Sequence, residues 1–402
     1  MSEIGTENKY PELNDLKQGD SCPVEALPTG HMPQFATGSI FRPILRMGWP
    51  SIIGFLSINV YDIIDLFWVA KLGVAHVAAI ALFEGFHWVL IASNDIAGFG
   101  SVAVISRRYG AGKLGHAAAA IKESFILKWL CALVSGSIGW IFMEDLMKLM
   151  GAEGEVITLG ATYGRIHMLA LGFYFCTYSV FTSLRSIEAP IRAMLLMVFG
   201  AVLNMILDPL LIFGWGPFPE LGIAGAAWAS AIAYTITLIV GLLVFFLGGA
   251  PIRLKWKGEV PVGLKTMIHM FRVGLPSGVN TVSFSLARAV ITPIIAIYGT
   301  AVVAAYGVTM RVTLVGILVI FGLGLGVAPL IGNLMGAGLK DRLWKTAKQS
   351  IWLGFGITFV ISLIMFLFAP LIVQVFFDDP EIIEIGVELL KIWAWGLPFI
   401  AI

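Results

Sequence analysis

Arg46-Met-Gly-Trp-Pro50 returns as Arg272-Val-Gly-Leu-Pro276, an offset of 226 residues. The same offset, without a gap, pairs Gly73 with Gly299, Val77-Ala-Ala79 with Val303-Ala-Ala305, and Gly100 with Gly326. It pairs Gly110-Ala-Gly112 with Gly336-Ala-Gly338, Gly160 with Gly386, and Leu171 and Phe173 with Leu397 and Phe399. Chance similarity between apolar stretches does not hold one register over that length. The chain is a repeated unit, and hydropathy says what the unit is.

Of the 402 residues, 58% are hydrophobic and 13% charged, and the mean hydropathy is +0.90. A soluble domain carries about 25% charged residues, so composition argues against a soluble enzyme, a nucleic-acid-binding domain and a disordered scaffold. Spanning a bilayer takes about 20 mostly apolar residues in a helix. Ten segments qualify, at 45–70, 77–106, 116–142, 155–185, 190–214, 222–249, 267–298, 302–334, 345–375 and 381–402. The 45 glycines suit helices that must approach closely without a hydrophobic drive between them.

Six segments separate equivalent positions, so both halves enter the membrane from the same side, a parallel repeat about an axis along the membrane normal. The expected fold is an all-α polytopic membrane bundle of two six-helix lobes facing each other across a cleft. Its parts are a polar tail (1–41), a first lobe (42–249), a linker (250–265) and a second lobe (266–402). Residue 402 is equivalent to Cys176 in the fourth segment. The counterparts of 177–249 are therefore expected beyond the given sequence, in a twelve-helix protein.

Loop charge sets the orientation. One side carries Arg42 and Arg46; Arg107, Arg108 and Lys113; Arg185 and Arg192; Arg253, Lys255, Lys257 and Lys265; and Lys340, Arg342, Lys345 and Lys348. The other carries Lys71 and Lys148 among acids such as Glu144, Asp145, Glu153, Glu155, Asp378, Asp379 and Glu381. The positive-inside rule then puts the N-terminus in the cytoplasm, in a plasma (inner) membrane protein. The tail is acidic and solvated, and no secretory signal is present in it. Cys22, Cys131 and Cys176 fit no disulfide framework or zinc spacing.

Ionisable residues inside the membrane come next, since each costs about 2.5–3.5 kcal/mol at a helix centre. The first lobe holds Asp62, Asp65, Glu84, Asp95 and Asp208. Facing lipid, five would cost on the order of 12–17 kcal/mol, so a wet cavity or a bound cation is expected. Asn204 and Asp208 lie one turn apart on one helical face, as do Tyr61 and Asp65. Pro209 and Pro50 mark places where those helices can bend. Oxygens from Asp65, Asn204 and Asp208 suit Na⁺, while two carboxylates held close suit a proton carrier. The alternative is a set of hydrogen-bonded structural polar groups.

Glu84, His87 and Asp95 share a further helical stripe, readable as a relay, as part of a substrate cleft, or as a structural acid–histidine pair. The repeat puts Ile291, Met310 and Phe321 where the first lobe has Asp65, Glu84 and Asp95. It puts Arg288 where the first lobe has Asp62. Arg288 can balance a substrate anion or tie off a carbonyl, and neither reading wins. Arg165 and Lys391 obey the repeat, which favours a structural role.

These residues carry a resemblance. Asp65-Leu-Phe-Trp-Val-Ala-Lys-Leu-Gly73, Ile105-Ser-Arg-Arg-Tyr-Gly-Ala-Gly-Lys113 and Asn204-Met-Ile-Leu-Asp-Pro-Leu-Leu-Ile-Phe-Gly214 resemble the multidrug and toxic compound extrusion (MATE) family over nearly all of 42–402. The resemblance implies a V of two six-helix lobes that exchanges Na⁺ or H⁺ for amphipathic, often cationic drugs. The chain is most similar to the DinF-type branch, which implies a cation site in the first lobe at Asp65, Tyr61, Tyr163, Asn204, Asp208 and Ser230, with Pro50 as the hinge. It departs from the NorM-type branch, because Pro276-Ser-Gly-Val-Asn-Thr-Val-Ser-Phe284 contains no acid. Asp62, Glu84 and Asp95 lie outside the pattern.

The function expected is cation-coupled antiport by alternating access, exporting amphipathic drugs or metabolites. Its partners would be small organic substrates and membrane lipid, with no nucleic acid, in a monomer. No cofactor is expected beyond the coupling ion. The nearest rival is a flippase for lipid-linked precursors, which would need a more basic cleft. A membrane enzyme would need a nucleophile–base or metal-ligand set that the sequence does not offer, and a non-transporting sensor would not need the repeat.

Overall fold

The structure, a computed structural model, describes residues 38–255, 260–377 and 379–401; the polar tail up to 37 lies outside the described residues. These residues form helices and no strand. In chain order they are α1 (Phe41–Ala70), α2 (Val74–Gly110), α3 (Leu114–Ile141), the short α4 (Met143–Leu149), α5 (Glu155–Ser186), α6 (Pro190–Ile212) and α7 (Ile223–Phe246). After the linker come α8 (Leu264–Ala296), α9 (Thr300–Gly336), α10 (Lys340–Leu367), the short α11 (Ala369–Gln374), α12 (Pro380–Gly396) and a 3-10 turn (Leu397–Ala401).

The repeat is written into the helix boundaries. Both ends of α9 are the ends of α2 moved by 226, and the same holds for α10 and α3. The short helices α4 and α11 also begin at equivalent residues. Side-chain contacts follow: Arg165 lies over the Trp140 ring at 5.9 Å, and its equivalent Lys391 lies over Phe366, the equivalent of Trp140, at 5.6 Å. Arg165 additionally pairs with Glu144 at 2.9 Å. The repeat therefore preserves a cation–ring contact as well as a residue position.

Eight helices among the described residues are long and apolar enough to cross a membrane: α1 to α3, α5 to α7, α10, and the Ala305–Gly336 stretch of α9. Of the ten expected segments, α8 is helical throughout Leu264–Ala296, with several of its side chains outside the described residues. The helix α12 is shorter than a full span, at 17 residues with three glutamates. The ninth segment, expected as one span over 345–375, breaks after Leu367 and restarts as α11, whose first turn contains Pro370. The tenth, expected to run on to 402, stops at Gly396 and tightens into the 3-10 turn that contains Pro398.

Within the first lobe, α1 packs on α6, α2 on α3 and α5, α3 on α5, and α7 on α5 and α6. In the second, α9 packs on α10 and α12, and α10 on α12, which repeats the α2, α3, α5 arrangement. The lobes meet where α1 lies on α9 and α8 lies on α2, one contact seen from either side of a pseudo-twofold axis. On that axis α2 crosses α9. A Cβ on Gly110 would collide with the Asn333 carbonyl, and one on Gly336 with the Arg107 carbonyl. Arg107 and Asn333 are themselves repeat equivalents. Backbone here touches backbone, which only glycine permits.

The linker is fastened to the first lobe at both ends. The Leu254 N–H donates to the Phe245 carbonyl, with Ile252 and Leu254 buried beside it. At the other end the Gly263 N–H, capping α8, donates to Glu123 Oε1 at 2.8 Å. Glu123 is buried on α3 and faces Arg108 at 3.5 Å. Arg108 in turn donates to Thr266 Oγ1 at 3.0 Å. Residues 256–259 lie outside the described residues.

Candidate cation site

Four helices bring the expected oxygens together. Asp65 lies near the end of α1, Tyr163 in the third turn of α5, Asn204 and Asp208 in the last turns of α6, and Ser230 in the second turn of α7. Because the helices alternate in direction, all five fall toward the end of the lobe opposite the basic loops. All five are buried, Asp208 completely.

Asn204 is the hub of one side. Its amide is assigned with the nitrogen toward Asp208, because the reverse would set oxygen against oxygen. Nδ2 then donates to Asp208 Oδ2 at 3.1 Å, and the amide oxygen accepts from Ser230 Oγ at 3.1 Å. The i, i+4 spacing of Asn204 and Asp208 makes the first contact possible, and Pro209 follows inside the helix. Asp208 and Asp65 interact electrostatically across the gap between α6 and α1. Tyr163 lies within electrostatic range of Asp65, Glu84, Asp62 and Asp208.

One oxygen of each central carboxylate, Asp65 Oδ1 and Asp208 Oδ1, is buried without a hydrogen-bond partner. Buried polar atoms are almost always satisfied, so two unanswered oxygens on carboxylates that interact electrostatically fit a cation or a proton. Neutral donors beside them, the Asn204 and Ser230 oxygens, fit a hard monovalent ion. Among the described residues no three His, Cys, Asp or Glu side chains gather as a transition-metal cage requires.

The remaining candidates are distributed around this centre. Tyr61 hydrogen-bonds to the Tyr234 hydroxyl on α7 and lines a small enclosed cavity with Asn204, Met197 and Thr237. Pro50 is buried in α1, and the neighbouring Ser51 hydroxyl donates to the Met47 carbonyl at 2.9 Å. From Pro50 to Asp65 the helix runs about 22 Å at 1.5 Å per residue. Asp62 is exposed and lies within electrostatic range of Glu84 and Asp65.

The Glu84–His87–Asp95 stripe is divided by its surroundings. Glu84 Oε1 stands 3.7 Å from His87 Nδ1, and His87 packs edge-on against His167 with ring centroids 4.6 Å apart. His167 stacks on Tyr163, so this end of the stripe adjoins the cation site. Asp95 instead turns to the other lobe, accepting from Thr281 Oγ1 on α8 at 3.1 Å. The Arg288 side chain lies outside the described residues.

Two ionisable residues inside the first lobe, Lys128 and His167, escaped the sequence reading, and a third, Arg185, expected on a basic loop, lies buried in the last turn of α5. Lys128 sits at the middle of α3 with no exposed surface, and Arg185 is 2% exposed. Lys128 Nζ, Arg185 Nε and His167 Nε2 have no hydrogen-bond partner. A lysine at a span centre costs about 2.5–3.5 kcal/mol. That cost is the signal Lys128 carries in the sequence, as the lone charge within the apolar stretch 124–141.

A bundle that crosses the membrane many times, folded as two repeated lobes with carboxylates buried in one of them, is built as a membrane transporter. The MatE family model matches residues 50–210 and 276–402. The chain belongs to the MATE family, and is a transport protein rather than an enzyme. It is 29% identical over 363 residues to "Probable multidrug resistance protein YoeA" of Bacillus subtilis, covering 89% of this chain and 78% of that protein. It is 28% identical over 361 residues to "Multidrug export protein MepA" of Staphylococcus haemolyticus, with the same coverage of 89% and 78%. Among solved structures, a MATE protein in complex with MaD5 aligns with a TM-score of 0.82 at 26% identity, covering 90% of this chain and 81% of that one. A multidrug resistance MATE transporter in its outward-facing conformation aligns with a TM-score of 0.80 at 25% identity, covering 90% and 80%.

Proposed function

We propose that this chain is a cation-coupled antiporter that exports amphipathic, often cationic organic compounds by alternating access. The observation that carries the reading is the pair of buried carboxylates, Asp65 and Asp208, each with an unpartnered oxygen, with Asp208 held by Asn204 and Asn204 by Ser230. Relatives named as multidrug export proteins support the class of cargo. The coupling ion is Na⁺ or H⁺, since both use the same oxygens, and no other cofactor is required. The working unit is a monomer in the plasma (inner) membrane, with the N-terminus and basic loops in the cytoplasm.

A cation bound between Asp65 and Asp208 takes up one of their two charges and relieves the mutual repulsion that otherwise keeps α1 and α6 apart at this end. With that repulsion gone the helices close, α1 bends at Pro50, and the space beside Tyr61 and Tyr234 shrinks, which expels the substrate. The ion drives transport only because it favours one lobe arrangement over the other. The test is efflux of a fluorescent organic cation from proteoliposomes under separate Na⁺ and pH gradients. One gradient should drive it, and Asp65→Asn or Asp208→Asn should abolish the dependence. Undiminished gradient-driven efflux in both variants would overturn the mechanism.

A further inference from the structure

Lys128 presents a fully enclosed ammonium with no hydrogen-bond partner, at the middle of α3. A buried ammonium is ordinarily paired. The side chain reaches toward α2, where Nζ lies 3.6 Å from the place a Cβ would occupy on Gly98. Gly98 is three residues beyond Asp95, on the same face of α2. Asp95 is the carboxylate that acts electrostatically on Lys128, while Arg185, a second buried cation, repels it.

Asp95 does not hydrogen-bond to Lys128. Its Oδ2 accepts from Thr281, which belongs to α8 of the other lobe. Two rings attend the same carboxylate: Tyr174 and Tyr178 lie 5.5 Å apart, and both are within electrostatic range of Asp95. Lys128 Nζ stands 5.8 Å from the Tyr178 ring. An acid with aromatic rings nearby can recognise an organic cation through charge and through the ring quadrupole. A cation already tethered within reach is its natural competitor.

We infer that Asp95 is a docking point for the positive group of a transported organic monocation, and that Lys128 is the built-in counter-ion that replaces that group when the carrier is empty. The inference rests on the transport reading above and adds a site distinct from Asp65 and Asp208. When the lobes part along α2 and α8, Thr281 moves away from Asp95 and the carboxylate is released into the cleft. A substrate cation satisfies it on the loaded leg. On the empty leg Lys128 swings to it, so that the carrier never returns with an unanswered charge at the seam. No bond is made or broken; one cation replaces another.

The test is equilibrium binding of tetraphenylphosphonium to the purified full chain. Asp95→Asn should weaken binding about tenfold, on the scale of losing one partner of a partly desolvated charge pair. Lys128→Met, which keeps the length of the side chain without its charge, should tighten binding about three- to tenfold. That tightening should vanish in the Asp95→Asn background. Equal tightening in both backgrounds, unchanged affinity in Asp95→Asn, or no binding of tetraphenylphosphonium to the parent protein would each overturn the inference. Lys128→Gln guards against misfolding of the Met variant, with affinity read per folded protein. Gradient-driven efflux is measured separately: its absence alongside an intact binding cycle would sink antiport and leave the docking site standing.

Discussion

On α1 the first lobe has Asp65 where α8 has Ile291, and on α2 it has Glu84 and Asp95 where α9 has Met310 and Phe321. Yet α2 and α9 start and stop at equivalent residues, as do α3 and α10, and the α2–α9 crossing is made by equivalent glycines against equivalent carbonyls. Backbone plan and chemistry are thus separable in this molecule. Glycine positions and helix ends specify the two halves alike, while the carboxylates Asp65, Glu84 and Asp95 stand in one half only. On the proposed antiport reading, a symmetric frame carrying an asymmetric load would let one lobe sense the ion and the other serve as the surface it moves against.

The largest effect expected from that asymmetry is on coupling. Asp208→Asn should reduce cation-driven efflux in proteoliposomes by at least about a hundredfold, since removing a group central to such a site costs several kcal/mol. Ile291→Asn, at the position equivalent to Asp65, should change it less than about threefold. Comparable losses at both places would mean that the load is shared after all.

The frame makes the opposite demand, equality. Gly110→Leu and Gly336→Leu should each force the α2–α9 crossing apart, at about 1–3 kcal/mol, as overpacking does elsewhere. Hydrogen exchange at the amides of 100–110 and 326–336 should speed by similar factors in the two variants. A strongly one-sided response would show that the pseudo-twofold axis is geometric only.

Smaller effects test the joints. Glu123→Gln weakens its charge-assisted contacts to Arg108 and the Gly263 N–H, and should lower stability by about 1–3 kcal/mol, read as a lower melting temperature in detergent. Arg165→Met and Lys391→Met should each cost under about 1 kcal/mol, the range of an exposed cation–ring contact. The Arg165 variant should be slightly worse, because its half-exposed pairing with Glu144 adds little. Equal melting shifts within that margin would confirm the repeat at the level of single interactions.

The repeat, the spans and the gathering of Asn204 with Asp208 were legible because each depends on spacing along one helix or on a fixed offset. Other features depend on which helices meet, and spacing does not encode that. Asp95 belongs to the Glu84–His87 stripe by periodicity, yet Thr281 on another lobe claims it. Lys128 is one charge in a long apolar segment and gains its meaning only where Gly98 leaves room for it. The short α4 and α11 are too brief to print a period, and the breaks before them follow local turn geometry.

The linker, finally, is a short strap with both buckles on one side. Leu254 is fastened to α7 and Gly263 to α3, so the chain leaving the first lobe is returned to it before the second lobe begins. The start of α8 is thereby moored to its neighbour. Any rearrangement of the lobes at this end has to swing about that mooring, as a door does on its hinge, because sliding would first tear Glu123 from the Gly263 amide. Slack introduced by lengthening residues 255–262 would leave the hinge in place, whereas loosening Glu123 would turn the hinge into a tether.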